Sequence, residues 1–173
     1  QDFIAYCSGL GVDVIPLQNC FGHSEYILRH ERYAVLKEDK KDCSQICPMM
    51  EDEAEGIFRS IFSEIAEMHP SEYIHIGCDE TRLLGHCRRC QEKVRSEGVS
   101  RLYVDYVSRM CGIVSSLGKR PMIWADIILK YPEALQSLPE DVIIVDWNYG
   151  WNQDHFGKMD NLRNSGREIW GAC

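Results

Sequence analysis

Two adjacent carboxylates, Asp79 and Glu80, follow a short apolar run at 73–76 and a glycine, Gly77. A run of that length reads as a buried strand. A hydrophobic strand gains no stability by ending on paired acids, whereas the turn after such a strand is where α/β enzymes carry their chemistry. Neighbours in an extended segment point in opposite directions. Asp79 and Glu80 are therefore expected to serve different atoms, one at the floor of a pocket and one at its rim, rather than to share a proton. The competing reading is a helix N-terminus that uses Asp-Glu to complement its dipole.

Aromatic residues fall close to the same level. Trp124, Trp147, Trp151 and Trp170 each stand at or just beyond the end of an expected strand. A single tryptophan is ordinary core material. Several on successive strand ends beside carboxylates suit a neutral, polyhydroxylated ligand with apolar faces, such as a sugar. Cleaving a glycosidic bond requires a carboxylic acid to protonate the leaving oxygen, and apolar walls raise the pKa of that acid.

Nine cysteines are scattered through the chain. The odd count and the length argue against a disulfide framework and for a reducing compartment, so a cytoplasmic location is expected. Cys87-x-x-Cys90 lies in the loop after Glu80, and Cys43-x-x-x-Cys47 lies in the loop after the preceding strand. Both loops would leave neighbouring strands on one face. Cys43, Cys47, Cys87 and Cys90 could then hold a tetrahedral zinc ion, structural because four thiolates leave no open position. Free thiols are the alternative.

The elements that must position these groups alternate. A helix tail at 2–8 stops at Gly9 and Gly11, and a first strand occupies 12–17. A long polar stretch, 18–48, includes a charged run at 37–42 that reads as a solvated loop because its signs alternate. A helix at 51–68 carries Ile57, Phe58, Ile61, Phe62 and Ile65 on one stripe. The strand at 73–77 and a second long loop, with a short helix at 91–97, come next. Ser100 is placed to cap a helix burying Tyr103, Tyr106, Val107, Met110, Ile113, Val114 and Leu117. Strands at 121–125, 142–147 and 168–170 are separated by helices near 132–137 and 153–165. Continuous apolar strands between helices imply a parallel sheet with right-handed crossovers, either doubly wound or part of a (β/α)8 barrel. The first βα turn lacks a glycine-rich phosphate loop, and polar or aromatic residues recur at every strand end, which favours the barrel. A whole barrel needs eight strands and about 250 residues. The 173 residues read as an excerpt of one catalytic domain, 1–173, from a larger protein.

A net charge of −8 and a pI near 5.2 argue against nucleic acid and anionic membranes, since both need a basic face.

His75-Ile76-Gly77-Cys78-Asp79-Glu80 resembles the His-x-Gly-Gly-Asp-Glu signature of family 20 glycoside hydrolases, the β-N-acetylhexosaminidases. Gly22-His23, Trp124-x-Asp126, Trp147, Tyr149 and Trp170 follow the family's order. The resemblance spans essentially the whole chain, as about the third to seventh strands of the family's barrel. It is closest to the subgroup that includes hexosaminidase D and related bacterial exo-enzymes. It implies hydrolysis of terminal non-reducing N-acetyl-β-D-hexosamine residues, GlcNAc or GalNAc, from glycans or glycoconjugates by a retaining, substrate-assisted mechanism through an oxazolinium ion, with no cofactor. It assigns Glu80 as general acid and base, and Asp79 as the group that orients the acetamido. Tyr149 would bond the acetamido oxygen, Trp124, Trp147 and Trp170 would wall the sugar, and His23 and Asp126 would contact the sugar or tune its neighbours. Cys78 replaces the signature's second glycine, Asn19 stands where many members have Asp, and Trp151 occupies another frequent Asp position. The alternatives are a non-catalytic sugar-binding relative and a zinc-dependent hydrolase or deaminase using His75, Cys87 and Cys90. Gly77 stands where the deaminase pattern requires Glu.

Overall fold

The computed structural model describes residues 2–152 and 154–172. Four strands form one parallel sheet in sequential order: β1 (Tyr73–His75), β2 (Arg120–Trp124), β3 (Ile143–Trp147) and β4 (Ile169–Ala172). His75 pairs with Met122, Met122 with Ile143, and Val145 with Trp170. The segment expected as a first strand, 12–17, is held at the free side of β1 by one parallel bridge, Leu17 to His75. The His75 N–H donates to the Pro16 carbonyl at 2.9 Å, and the Gln18 N–H donates to the His75 carbonyl at 2.8 Å. Pro16 has no N–H to offer, which limits the ladder there. A doubly wound sheet reverses direction about its first strand. This sheet adds every new strand on the same side, as the wall of a (β/α)8 barrel does.

The strands are apolar on both faces. Ile74, Ile76, Ile123, Val142 and Ile144 face the helical layer, while Met122, Ile143 and Val145 pack on the opposite face with Ile15, Tyr73, Trp124 and Trp170. Burial on both sides is why no alternation is visible in these runs.

The helices are α1 (Asp2–Gly9), α2 (Glu25–Leu28), α3 (Glu51–Met68), α4 (Arg88–Glu97), α5 (Val99–Ser116), α6 (Asp126–Lys130) and α7 (Asp160–Arg163). In α3 the stripe is centred on Phe58 and Phe62, both fully buried, with Ile57, Ile61 and Ile65 at its flanks. In α5 the expected face is buried from Tyr103 to Val114. Its cap differs from expectation. Gly98, at φ 89°, precedes the first turn, and Ser100 lies inside that turn, where its hydroxyl meets Glu133. Helix α4 starts ahead of residue 91 because Cys87 caps it, its Sγ accepting the Cys90 N–H at 3.4 Å.

The polar stretch 18–48 contains α2, which buries Leu28, and a 3₁₀ turn, Glu31–Leu36, which buries Leu36. Of the helix expected near 153–165, residue 153 lies outside the described residues, and across 154–165 it reduces to α7. Ahead of it Trp147, Tyr149, Trp151, His155 and Phe156 stack on one another, and side-chain packing replaces regular structure. Helix α6, directly after β2, was not anticipated. No helix among the described residues is long and apolar enough to cross a membrane.

Candidate active site

The acids sit on a turn with unusual backbone. Gly77, Cys78 and Glu80 have φ of 75°, 73° and 45°. Gly77 must be glycine for a second reason: a Cβ there would lie 2.0 Å from Asn19 Oδ1. Cys78 adopts the left-handed conformation that the signature's glycine would take freely, at about 1–2 kcal/mol for a residue with a side chain. Its thiol is buried 3.8 Å from Cys20 Sγ, and its carbonyl accepts the Tyr103 hydroxyl at 3.2 Å.

This backbone alters the expected arrangement of the pair. The segment is not extended, so the two side chains do not diverge fully. His23 Nε2 lies 3.4 Å from Asp79 Oδ2 and 3.4 Å from Glu80 Oε2. The division into floor and rim persists in burial, with the Asp79 side chain 15% exposed and that of Glu80 33%. His23 itself is held at φ 53°. It follows Gly22, where a Cβ would meet the Asp79 carbonyl oxygen at 2.3 Å, so the histidine turn approaches the acids only because residue 22 has no side chain. Burial pushes the Asp79 carboxyl above its ordinary pKa, and His23 draws it partly back. Asp79 Oδ1 is buried without a hydrogen-bond partner.

Asp126 opens α6, and its Oδ2 accepts the Glu80 backbone N–H at 3.0 Å. It therefore holds the turn of the acid pair. Burial, reinforced by the Asp79 charge, pushes its carboxyl up to about 6 against the pull of the Glu80 amide and the Trp147 indole. Arg82, which the sequence did not single out, donates to Glu80 Oε1 at 2.8 Å. Glu80, Arg82 and Asp126 border an open cleft of about 410 Å³ with Lys130, His155 and Phe156.

The aromatic residues divide. Trp124 packs on His75 with ring centroids 4.2 Å apart. His75 is buried, accepts the Gly77 N–H on Nδ1 at 3.0 Å, and is pushed by burial down to about 3, so it is neutral and structural. Trp147 is buried against Phe156 and Tyr149, and its indole N–H faces the Asp126 carboxyl, which it draws down. Tyr149 stands exposed on the rim beside Trp151. Trp170 is not brought to the acids. It is the second residue of β4 rather than a strand end, its ring packs edge-on against Tyr73 at the start of β1, and its indole N–H donates to Glu168 at 2.8 Å.

The cysteine cluster also differs from expectation. Cys47, Cys87 and Cys90 converge, but the fourth group within reach is Glu38 and not Cys43. Glu38 belongs to the charged run read as solvated, yet it is 3% exposed. His75 is no part of this cluster, which removes the geometric basis for a zinc hydrolase built on it with Cys87 and Cys90.

The profile of the glycosyl hydrolase family 20 catalytic domain matches residues 1–169. The chain belongs to glycosyl hydrolase family 20. Among curated relatives, hexosaminidase D of Bos taurus is 30% identical over 174 residues, covering 93% of this chain and 50% of its own length. Hexosaminidase D of Homo sapiens is 31% identical over 185 residues, covering 98% of this chain and 37% of its own. The chain thus spans half or less of these relatives. The crystal structure of the β-N-acetylhexosaminidase from Bacteroides fragilis NCTC 9343 superposes with a TM-score of 0.75 at 24% identity, over 97% of this chain and 34% of that one. The sheet described above is accordingly part of a family 20 catalytic barrel.

Proposed function

We propose that the protein carrying this chain removes terminal N-acetyl-β-D-hexosamine residues from glycans or glycoconjugates, with retention of configuration and with the substrate's own acetamido group as nucleophile. The observation that carries the reading is the buried, unpartnered Asp79 Oδ1 beside the more exposed Glu80. A carboxylate oxygen without a partner is costly to bury unless a ligand supplies the donor. The acetamido N–H is such a donor. Its hydrogen bond to Asp79 would aim the acetamido oxygen at the anomeric carbon, and the carboxylate charge would stabilise the oxazolinium ion that forms.

Glu80 would protonate the departing glycosidic oxygen and then take a proton from the water that opens the ring. Asp126 fixes the Glu80 backbone, Arg82 engages its carboxylate, and His23 spans both acids. These contacts suit a group that must reach one oxygen and then, from the same place, one water. Trp124 and Trp147 would contribute the sugar's apolar wall, and Tyr149 would bond the acetamido oxygen from the rim. The chemistry calls for no cofactor. A cytoplasmic location is part of the proposal, supported by described cysteines that form no disulfide with one another.

The test is release of the aryl group from an aryl N-acetyl-β-glucosaminide by the full-length protein. Glu80→Gln is expected to lower kcat by about 10²–10⁴, the usual worth of a positioned acid. Asp79→Asn is expected to act comparably, and a thiazoline mimic of the intermediate should inhibit competitively. Full activity in Glu80→Gln would overturn the assignment. Binding of N-acetylglucosamine without turnover by the wild-type protein would point instead to a sugar-binding relative.

A further inference from the structure

We propose that Glu38, Cys47, Cys87 and Cys90 bind a structural zinc ion that joins the two loops framing the acid pair. The ligand atoms of these residues all lie within 4.8 Å of one another. Cys47 Sγ is 3.6 Å from Cys87 Sγ and 3.6 Å from Cys90 Sγ. Sulfurs bound at 2.3 Å around a tetrahedral centre are about 3.8 Å apart, so the thiols already approximate edges of a zinc tetrahedron. A disulfide needs sulfurs about 2.05 Å apart, and three thiols around one point cannot all pair.

The fourth corner is the decisive residue. Glu38 is almost wholly buried, and its described partners are not cations: Oε1 accepts the Cys87 N–H at 2.7 Å, and Oε2 lies 3.2 Å from Cys90 Sγ. A buried carboxylate needs a counter-charge. A divalent ion in reach of Oε2 supplies it, while the Cys87 amide bond orients the ligand from outside. Three thiolates and a carboxylate favour zinc over magnesium or calcium, and a filled tetrahedron leaves no site for a reacting water, so the ion is structural. The filled site carries excess negative charge. Lys37, Lys40, Arg88 and Arg89 line the cleft beside it, and the N-terminus of α4 begins at Cys87.

The position explains the purpose. Glu38 and Cys47 lie on the stretch 18–48 that also carries His23, while Cys87 ends the loop that follows the acids and Cys90 lies in the first turn of α4. The same loops are joined by the Leu83 N–H donating to Gln45 Oε1 at 2.8 Å. His86 is engaged elsewhere, with Asp39 at 2.9 Å.

The experiment is metal analysis of the full-length protein, purified under reducing conditions and reconstituted with zinc. One equivalent per chain is expected. It should persist in Cys43→Ser and disappear in Cys47→Ser and Cys90→Ser. Glu38→Ala should weaken binding by more than about tenfold. Replacing zinc with cobalt(II) in the wild-type protein should produce thiolate-to-cobalt charge-transfer absorption and the intense visible bands of a tetrahedral ion, a readout that does not depend on any variant folding. A folded wild-type protein that takes up no metal, or one that contains a disulfide among these cysteines under the same conditions, overturns the site. Loss of metal in Cys43→Ser, or unchanged affinity in Glu38→Ala, overturns the ligand set.

Discussion

At the scale of single residues, Asp126 has a role that its position after Trp124 did not reveal. The sequence offered it as a contact for a sugar hydroxyl or as an orienting group; it is buried, bonds the Glu80 amide and borders the cleft. Burial also makes its contribution to stability depend on pH. Its carboxyl titrates at about 6 in the fold against 3.8 as a free side chain. Between those values the folded protein keeps the proton and the unfolded chain has lost it. Stability from this residue therefore falls as pH rises from about 4 to about 6, by at most about 3 kcal/mol, and stays lost above that. Asp126→Asn retains an oxygen for the Glu80 N–H and cannot ionise. In urea unfolding of the full-length protein, the variant should gain on the wild type progressively from pH 4 to 6 and hold a constant lead above pH 7. Parallel profiles across that range would show that Asp126 is not titrating as a buried acid. Glu38 teaches a related lesson. Its neighbours Lys37, Asp39, Lys40 and Lys41 make the run look solvated, and only the three cysteines, brought from distant positions, single it out as a candidate ligand.

At the scale of elements, α5 supports both turns of the site from beneath. The Tyr106 hydroxyl donates to the Cys20 carbonyl at 2.7 Å, and the Tyr103 hydroxyl donates to the Cys78 carbonyl. Phe21 fills the space between, its ring 4.5 Å from that of Tyr106 and 5.8 Å from that of Tyr103. Tyr106→Phe keeps the ring and orphans a buried carbonyl, so it should destabilise the protein by about 1–3 kcal/mol, measurable in a denaturant melt. Tyr103→Phe breaks a longer bond and should cost less. If neither variant lowers the midpoint, the hydroxyls are not what fixes the turns. The helical period already named both tyrosines as buried, because one face of a helix is readable from spacing alone. The destination of each hydroxyl was not readable, since its acceptor lies far away in the chain. The same distinction accounts for the helix expected near 153–165. The aromatic cluster of Trp147, Tyr149, Trp151 and Phe156 is a tertiary arrangement with no periodic signature, and it lies ahead of the short α7. The acid pair was legible for the opposite reason: strand, glycine and carboxylates are contiguous, so local chemistry specified the turn.

At the scale of the whole molecule, the sheet is an arc and not a closed barrel. One margin is the 12–17 segment, attached by a single bridge, and the other is β4, which among the described strands pairs only with β3. The apolar residues near the first margin are uncovered: Phe3 and Tyr6 on α1 are each 67% exposed, Leu10 is 64%, Val12 53% and Leu17 48%. None of α1 is buried, although two of its aromatics lie one turn apart on the same side. Closing a barrel removes both strand edges and covers such residues with neighbouring strands and helices. Left open, unpaired parallel edges and exposed apolar side chains are the features through which sheets associate with further copies. A polypeptide limited to residues 1–173 should therefore self-associate in solution, seen as oligomers in light scattering and as binding of a hydrophobic dye. The full-length protein should be monodisperse and bind little dye under the same conditions. A monomeric 1–173 polypeptide with a cooperative melt would mean that the helical layer and the core of Phe58, Phe62, Tyr103 and Tyr106 stabilise the arc by themselves. The barrel's remaining strands would then be needed to complete the substrate pocket rather than to hold the fold.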